Sequence, residues 1–150
     1  MKLFAQNKKA RHDFHIEETY EAGIELTGPE VKSIRAGRAN LKESYARIRG
    51  GEAFLVGAHI SPYENATHVN QDPVRQRKLL LNKREIARLA GKSQESGKTI
   101  VPLDLHPKNG VIKLQIGVAS RKQEHDKRRE IAKKTVQRET EKAIKERSRV

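Results

Sequence analysis

Apolar residues recur at every second position in several separate stretches, and this alternation most limits the folds open to the chain. Val101, Leu103 and Leu105 alternate within 99–106, and Ile112, Leu114, Ile116 and Val118 alternate within 111–119. Lys108-Asn109-Gly110 lies between these stretches and has turn chemistry. Successive strand side chains point to opposite faces, so each set covers one face. Phe14 and Ile16 share one parity with Tyr20, Ala22, Ile24 and Leu26. One long strand, kinked near Glu18, is expected to place all six on one face. Ser44, Ala46 and Ile48 alternate with Tyr45, Arg47 and Arg49, Gly50-Gly51 is a two-residue hairpin turn, and Ala53 to Ile60 reads as the return strand.

Two helices interrupt the strands. Gly28-Pro29-Glu30 opens the first, with Pro29 suited to the first turn and Glu30 to the positive end of the dipole. Val31 and Ile34 share its inner face, and Gly37 is placed to end it. Asn82 caps the second, Glu85 is its capping-box partner, Ile86 and Leu89 share a face, and Gly91 is expected to end it. Five or six short antiparallel strands with this helix placement close most economically as a barrel. The expected fold is therefore mainly β: an OB-fold-like antiparallel barrel with two or three short helices and a basic C-terminal tail, disordered or helical.

The tail stands apart by composition. From Arg121 to Val150 there is no Gly, Pro or aromatic residue, and twelve residues are Lys or Arg against six Asp or Glu. It is written in helix-forming residues with little to bury, which describes a segment that orders on a polyanion. Its Glu130–Lys134 and Glu141–Lys145 pairs each add only about 0.2–0.5 kcal/mol. The expected division is a flexible basic arm at 1–10, an RNA-binding barrel at 11–119 and the tail at 120–150.

The 150 residues carry a formal charge of +13, so a polyanionic partner is expected. A membrane partner is not, because no stretch joins Lys and Arg to a large apolar moment or approaches spanning length. Met1 to Asn7 has no apolar leader region, and a cytoplasmic protein is expected. There is no cysteine, hence no disulfide framework. Gly91 to Thr99 resembles a phosphate-binding loop, but five residues separate its glycines where four are required, and it leaves a helix for a strand. The six histidines form no metal-ligand spacing. No metal, cofactor or small-molecule substrate is expected.

Basic residues cluster at Lys8-Lys9-Arg11, at Lys32/Arg35/Arg38, at Arg75/Arg77/Lys78 with Lys83/Arg84, and at Lys127-Arg128-Arg129. Four such clusters in a chain of this charge point to phosphate contact. Aromatic residues are few, so recognition of a folded RNA by shape and backbone fits better than extended base stacking.

The runs Asn7 to Phe14, Tyr20 to Ile24, Gly28 to Gly37, Gly51 to Leu55, Arg77 to Asn82 and His125 to Arg129 together resemble the SsrA-binding protein (small protein B) family. The likeness runs in unbroken order from about residue 7 into the tail. Pro29, often Thr or Trp in that family, and Ser120-Arg121-Lys122 depart from its pattern. The resemblance implies an adaptor that grips the tRNA-like domain of transfer-messenger RNA (tmRNA). The adaptor carries that RNA to the A site of a stalled ribosome and lays its tail in the empty mRNA channel. It implies tmRNA contacts at Asn7, Lys8, Arg11, His12, Glu30, Lys32, Arg35, Lys78 and Asn82. It implies contacts with the small subunit's decoding centre and mRNA channel at His125, Asp126, Lys127, Arg128, Arg129, Lys133, Lys134 and Ile144. On local chemistry alone, Glu30 could instead charge-cap a helix and Asn82 could be a plain N-cap. Two other readings stay open at this point: a protein binding ribosomal RNA directly, and an RNA nuclease built on His12 and Asp13.

Overall fold

The structure, a computed structural model, describes residues 2–63 and 72–123 together with Arg128. The elements in chain order are β1 (Ala5–Gln6), α1 (Lys8–Asp13), β2 (Phe14–Ile24), α2 (Gly28–Arg35), β3 (Ala39–Asn40), β4 (Tyr45–Arg49), β5 (Glu52–Val56), β6 (His59–Ile60), β7 (Arg77–Leu80), α3 (Lys83–Ser93), β8 (Lys98–Lys108) and β9 (Val111–Arg121). Six strands form a ring in the order β8, β4, β5, β7, β2, β9, and β9 returns to β8. Every pairing is antiparallel. The expected barrel is present, and its closure removes the open edges that a sheet of this size would expose. β1 lies beside β8, while β3 and β6 make a separate two-stranded ribbon.

The long strands bend where the ring needs curvature. β2 carries a register shift between Ile16 and Glu18, where the sequence placed its kink. β8 carries another between Pro102 and Asp104. Pro102 has no N–H for the ladder, so an irregularity there costs little. Each shift also exchanges the faces of the strand.

The one-face expectation for both strands is therefore corrected. Tyr20, Ala22 and Ile24 pack in the barrel core, whereas Phe14 and Ile16 pack in a second cluster with Ala10, Val101, Leu103 and Ala119. In β8 the core takes Ile100 and Leu105, and Val101 and Leu103 face the outer cluster. β9 has no shift, so Ile112, Leu114, Ile116 and Val118 hold the core face as expected.

The segment read as a flexible arm is tied down. Ala5 and Gln6 pair with Leu105 and Asp104, and α1 follows directly. Its Ala10 lies over the outer cluster. The buried Asn7 side chain caps the helix by accepting from the Ala10 N–H (3.1 Å), and it donates to the carbonyls of Pro102 (2.9 Å) and Leu41 (3.2 Å).

The return strand also ends earlier than expected. β5 stops at Val56, Gly57 takes φ 84°, and the chain turns out of the ring into β6. A positive φ there admits glycine at little cost. α3 runs through Gly91 to Ser93 instead of ending at the glycine. Leu89 anchors it in the core, fully buried.

Gly117 is the tightest point of the outer cluster. A Cβ there would stand 2.8 Å from Ile16 Cγ2, 3.2 Å from Leu103 Cδ1 and 3.3 Å from the Glu18 carbonyl. Ile16 Cγ2 branches next to the backbone and cannot swing aside without moving the bulge. Gly117→Ala is therefore expected to destabilise the fold by about 1–3 kcal/mol, the usual cost of overpacking. Thermal unfolding followed by circular dichroism would read this as a Tm lowered by several degrees, and an unchanged Tm would show that the bulge yields freely.

Candidate nucleic-acid interface

β2 separates the residues expected to contact RNA into two groups. α1 precedes its first residue, Phe14, and α2 follows its last, Ile24. A strand of this length spans roughly 30 Å.

At the first end, Lys8 and Arg11 are exposed one turn apart on α1. His12 is half exposed, with Nδ1 3.1 Å from Asp13 Oδ1. Asn7 does not join them, because its side chain is buried and its polar atoms are committed to backbone groups. The root of the tail is fastened here. Arg121 pairs with Phe14, the Lys122 N–H donates to the Asp13 carbonyl (2.7 Å), and Lys122 Nζ donates to the Arg11 carbonyl (3.3 Å). Of the residues expected to meet the ribosome, only Arg128 is among those described, and it is exposed. His125, Asp126, Lys127, Arg129, Lys133, Lys134 and Ile144 lie outside the described residues.

At the second end, Lys32 and Arg35 project from α2. Lys32 Nζ sits 5.4 Å from the centroid of the Tyr63 ring, and Arg35 Nη2 donates to the Gly110 carbonyl (3.2 Å). Lys78 on β7 is 3.3 Å from Glu52. Asn82 is exposed and accepts from the Glu85 N–H (2.8 Å), while Glu85 accepts from the Asn82 N–H (3.1 Å). Both arms of the capping box are formed.

Glu30 belongs to this end by position but not by exposure. Its carboxylate is buried. Oε1 accepts from the Thr27 N–H (3.0 Å) and Thr27 Oγ1 accepts from the Glu30 N–H (3.3 Å), so Thr27 is the true cap of α2. Arg77, with no exposed surface, donates through Nε to Glu30 Oε2 (2.8 Å) and also to the carbonyls of Ala58 (2.8 Å) and Pro73 (3.0 Å). Arg75 donates to the same carboxylate through Nε (3.1 Å) and Nη2. Arg75 and Arg77, expected among the phosphate-facing cations, are thus turned inward to one acid. Desolvation works to raise the Glu30 carboxyl, but hydrogen bonds from Arg75, the Thr27 backbone and Arg77 outweigh it and hold the group below the ordinary carboxylate range.

Several further cations are also paired. Lys9 meets Glu43, Arg88 makes two hydrogen bonds to Glu18 (3.0 and 2.6 Å), and Lys98 meets Glu17 (2.8 Å). The Arg88 hydrogen bonds, helped by the Tyr20 hydroxyl, bring the Glu18 carboxyl down to about 2. What is left for a polyanion is a subset: Lys8, Arg11, Lys32, Arg35, Lys42, Arg47, Arg49, Lys83 and Arg84 are among the exposed cations that make no close ion pair with a carboxylate of the described residues, although Lys42 acts on Glu43 at longer range. Arg47 and Lys42 were not singled out from sequence. Their exposure in the folded chain, on β4 and just before it, reveals them.

Removing one partner of a buried ion pair typically costs about 3–5 kcal/mol, because the other charge stays buried. Glu30→Gln is expected to lose stability of that order at neutral pH. The folded carboxyl value lies below the unfolded one. The wild-type advantage is therefore complete above the unfolded value, about 4, and is lost as pH falls through the folded value. Denaturant unfolding of both proteins between about pH 7 and pH 3 should show the gap closing toward acid. A constant gap would mean that shape, not charge, carries the effect.

The chain matches a family model described as SmpB protein over residues 4–146. It is 72% identical over 149 residues to the SsrA-binding protein of Rubrobacter xylanophilus, covering 99% of each chain. It is 56% identical over 148 residues to the SsrA-binding protein of Anoxybacillus flavithermus, covering 99% of this chain and 96% of that one. It also resembles a solved chain described under "tmRNA-SmpB: a journey to the center of the bacterial ribosome", with a TM-score of 0.68 at 48% identity over 79% of this chain and 84% of that one. With a closed barrel, a basic α1 and a tail rooted beside it, the chain belongs to the SmpB protein family.

Proposed function

We propose that the protein binds tmRNA and serves as the adaptor of trans-translation. The observation that carries this reading is kinship with SsrA-binding proteins from end to end, so that barrel and tail are related as one unit. The barrel holds the tRNA-like domain and stands in for the anticodon arm that tmRNA lacks. The complex enters the A site of a ribosome stalled on a truncated message. The tail, residues 120–150, lies in the empty mRNA channel and signals that no codon is present, and the stalled peptide is then tagged and released. The protein performs no covalent step of its own, and its place of work is the cytoplasm.

Roles follow the two ends of the barrel. Lys32, Arg35 and Lys78, with Asn82 beside them, offer tmRNA a surface of cations and a polar amide. Glu30 supports that surface from beneath by fixing α2 to β7. Lys8, Arg11 and His12 flank the root of the tail. Within the tail, His125, Asp126, Lys127, Arg128 and Arg129 are assigned to the decoding centre, and Lys133, Lys134 and Ile144 to the channel. No metal ion and no small-molecule substrate enters the scheme. Among the described residues no helix is long and apolar enough to cross a membrane.

Two outcomes test the scheme. Because β9 runs to Arg121 and Lys122 is fastened to α1, the informative truncation falls after Gln123 and leaves the described barrel intact. That truncation is expected to keep tmRNA in a gel shift against excess tRNA while losing peptide tagging on stalled ribosomes. A large loss of RNA affinity would favour a protein that grips ribosomal RNA through its tail. Charge reversal at Lys32 and Arg35 is expected to weaken tmRNA binding and to lower the slope of log K against log salt by about 0.7–0.9 per lost phosphate contact. An unchanged slope would remove that face from the interface.

A further inference from the structure

A cleft of about 320 Å³ opens between α1, β4 and the far end of β9. Its walls include Phe14, Ser44, Tyr45, Thr99, Val101 and Arg121. This size lies at the small end of the roughly 300–1,000 Å³ typical of small-ligand pockets. Its charged lining is Lys9 and Arg121 against Asp13 and Glu43. The interior is thus balanced in charge, with apolar walls and a few polar groups. Such a site suits the face and edge of an uncharged heterocycle better than a phosphate.

The rim is different. Tyr45, Arg47 and Arg49 share the outer face of β4, and all three are exposed. Lys42 is exposed, its N–H donates to Asn40 Oδ1 (2.8 Å), and its charge helps hold the nearby Glu43 carboxyl down, but it makes no close ion pair among the described residues. Neither does Arg47.

Of the three tyrosines, Tyr20 donates its hydroxyl to Glu18 (2.8 Å) and Tyr63 lies under Lys32. Tyr45 alone is left over. Its side chain has no hydrogen-bond, ion-pair or ring partner among the described residues, and 41% of its surface is exposed. An exposed aromatic ring at the mouth of a neutral cleft, with free cations alongside, is the arrangement that holds an unstacked base with its phosphates outside.

We propose that this cleft is a subsite for one unpaired nucleotide of the bound RNA, its base stacked on Tyr45 and its flanking phosphates held by Arg47 and Lys42. The inference deepens the RNA-binding reading and rests on it. The exposed Lys9–Glu43 contact across the mouth is a surface pair, worth little and readily exchanged for a phosphate.

The test uses the full chain, labelled with nitrogen-15, and two RNA hairpins that differ only by one bulged uridine. The bulged hairpin is expected to shift the amides of Ser44, Tyr45 and Thr99 saturably, and the fully paired hairpin is not. Tyr45→Ala should weaken the bulged hairpin by about tenfold, in line with the loss of one base–aromatic stack. Tyr45→Phe keeps the ring and should bind as the wild type does. Equal binding of both hairpins, or Tyr45→Ala binding like wild type, overturns the subsite. So does the absence of shifts in those three amides with either RNA. In those cases a gel shift with tmRNA still decides the wider reading by itself.

Discussion

Two of the three longest strands in the closed ring change face partway while the third, β9, does not, and most features of this molecule follow from that arrangement. β2 and β8 each carry a register shift, and beyond it their apolar residues leave the core and meet outside the barrel. The second cluster gives α1 something to sit on. Ala10 covers it, Asn7 pins the helix to Pro102 beside the β8 shift, and Gly117 supplies the close approach that lets Ile16 and Leu103 fit. Without the two bends, the N-terminal residues would have no apolar surface to bury and α1 would not be held beside the root of the tail.

Charge is sorted in the same economical way. The chain has 32 Lys and Arg, but many are spent on its own carboxylates. Glu30 takes two arginines at the junction of α2 and β7. The cations that remain outward include Lys8 and Arg11 at one end of β2, Lys32 and Arg35 at the other, and Arg47 on β4. Net charge therefore states that the protein meets a polyanion, and the internal pairing decides where.

Much of the architecture was legible in the sequence. Period-two alternation located β9 and β4, Lys108-Asn109-Gly110 and Gly50-Gly51 marked the hairpins, and Asn82 with Glu85 marked the start of α3. What the sequence concealed has physical reasons. A register shift leaves the alternation of letters untouched while reversing the faces, so Phe14 and Val101 were assigned to the wrong side. β7 was hidden because a buried Arg77 reads as a surface residue until its acid is known. α1 has six residues and almost no apolar periodicity, since the surface it covers lies on other strands. In the interface, Lys8, Arg11, Lys32 and Arg35 stand where a basic pattern would put them. Asn7 and Glu30, which the family resemblance marked as contacts, are buried supports here.

β9 has a mechanical position that its sequence does not announce. It lies between β2 and β8, paired with one from Arg121 to Lys113 and with the other from Ser120 to Val111. The tail leaves from its end. Ladder hydrogen bonds run perpendicular to the strands, so a pull along the tail loads both ladders in shear, all bonds at once. An edge strand would peel one bond at a time. Force applied to the chain beyond Gln123 is thus passed to the part of the barrel best able to bear tension.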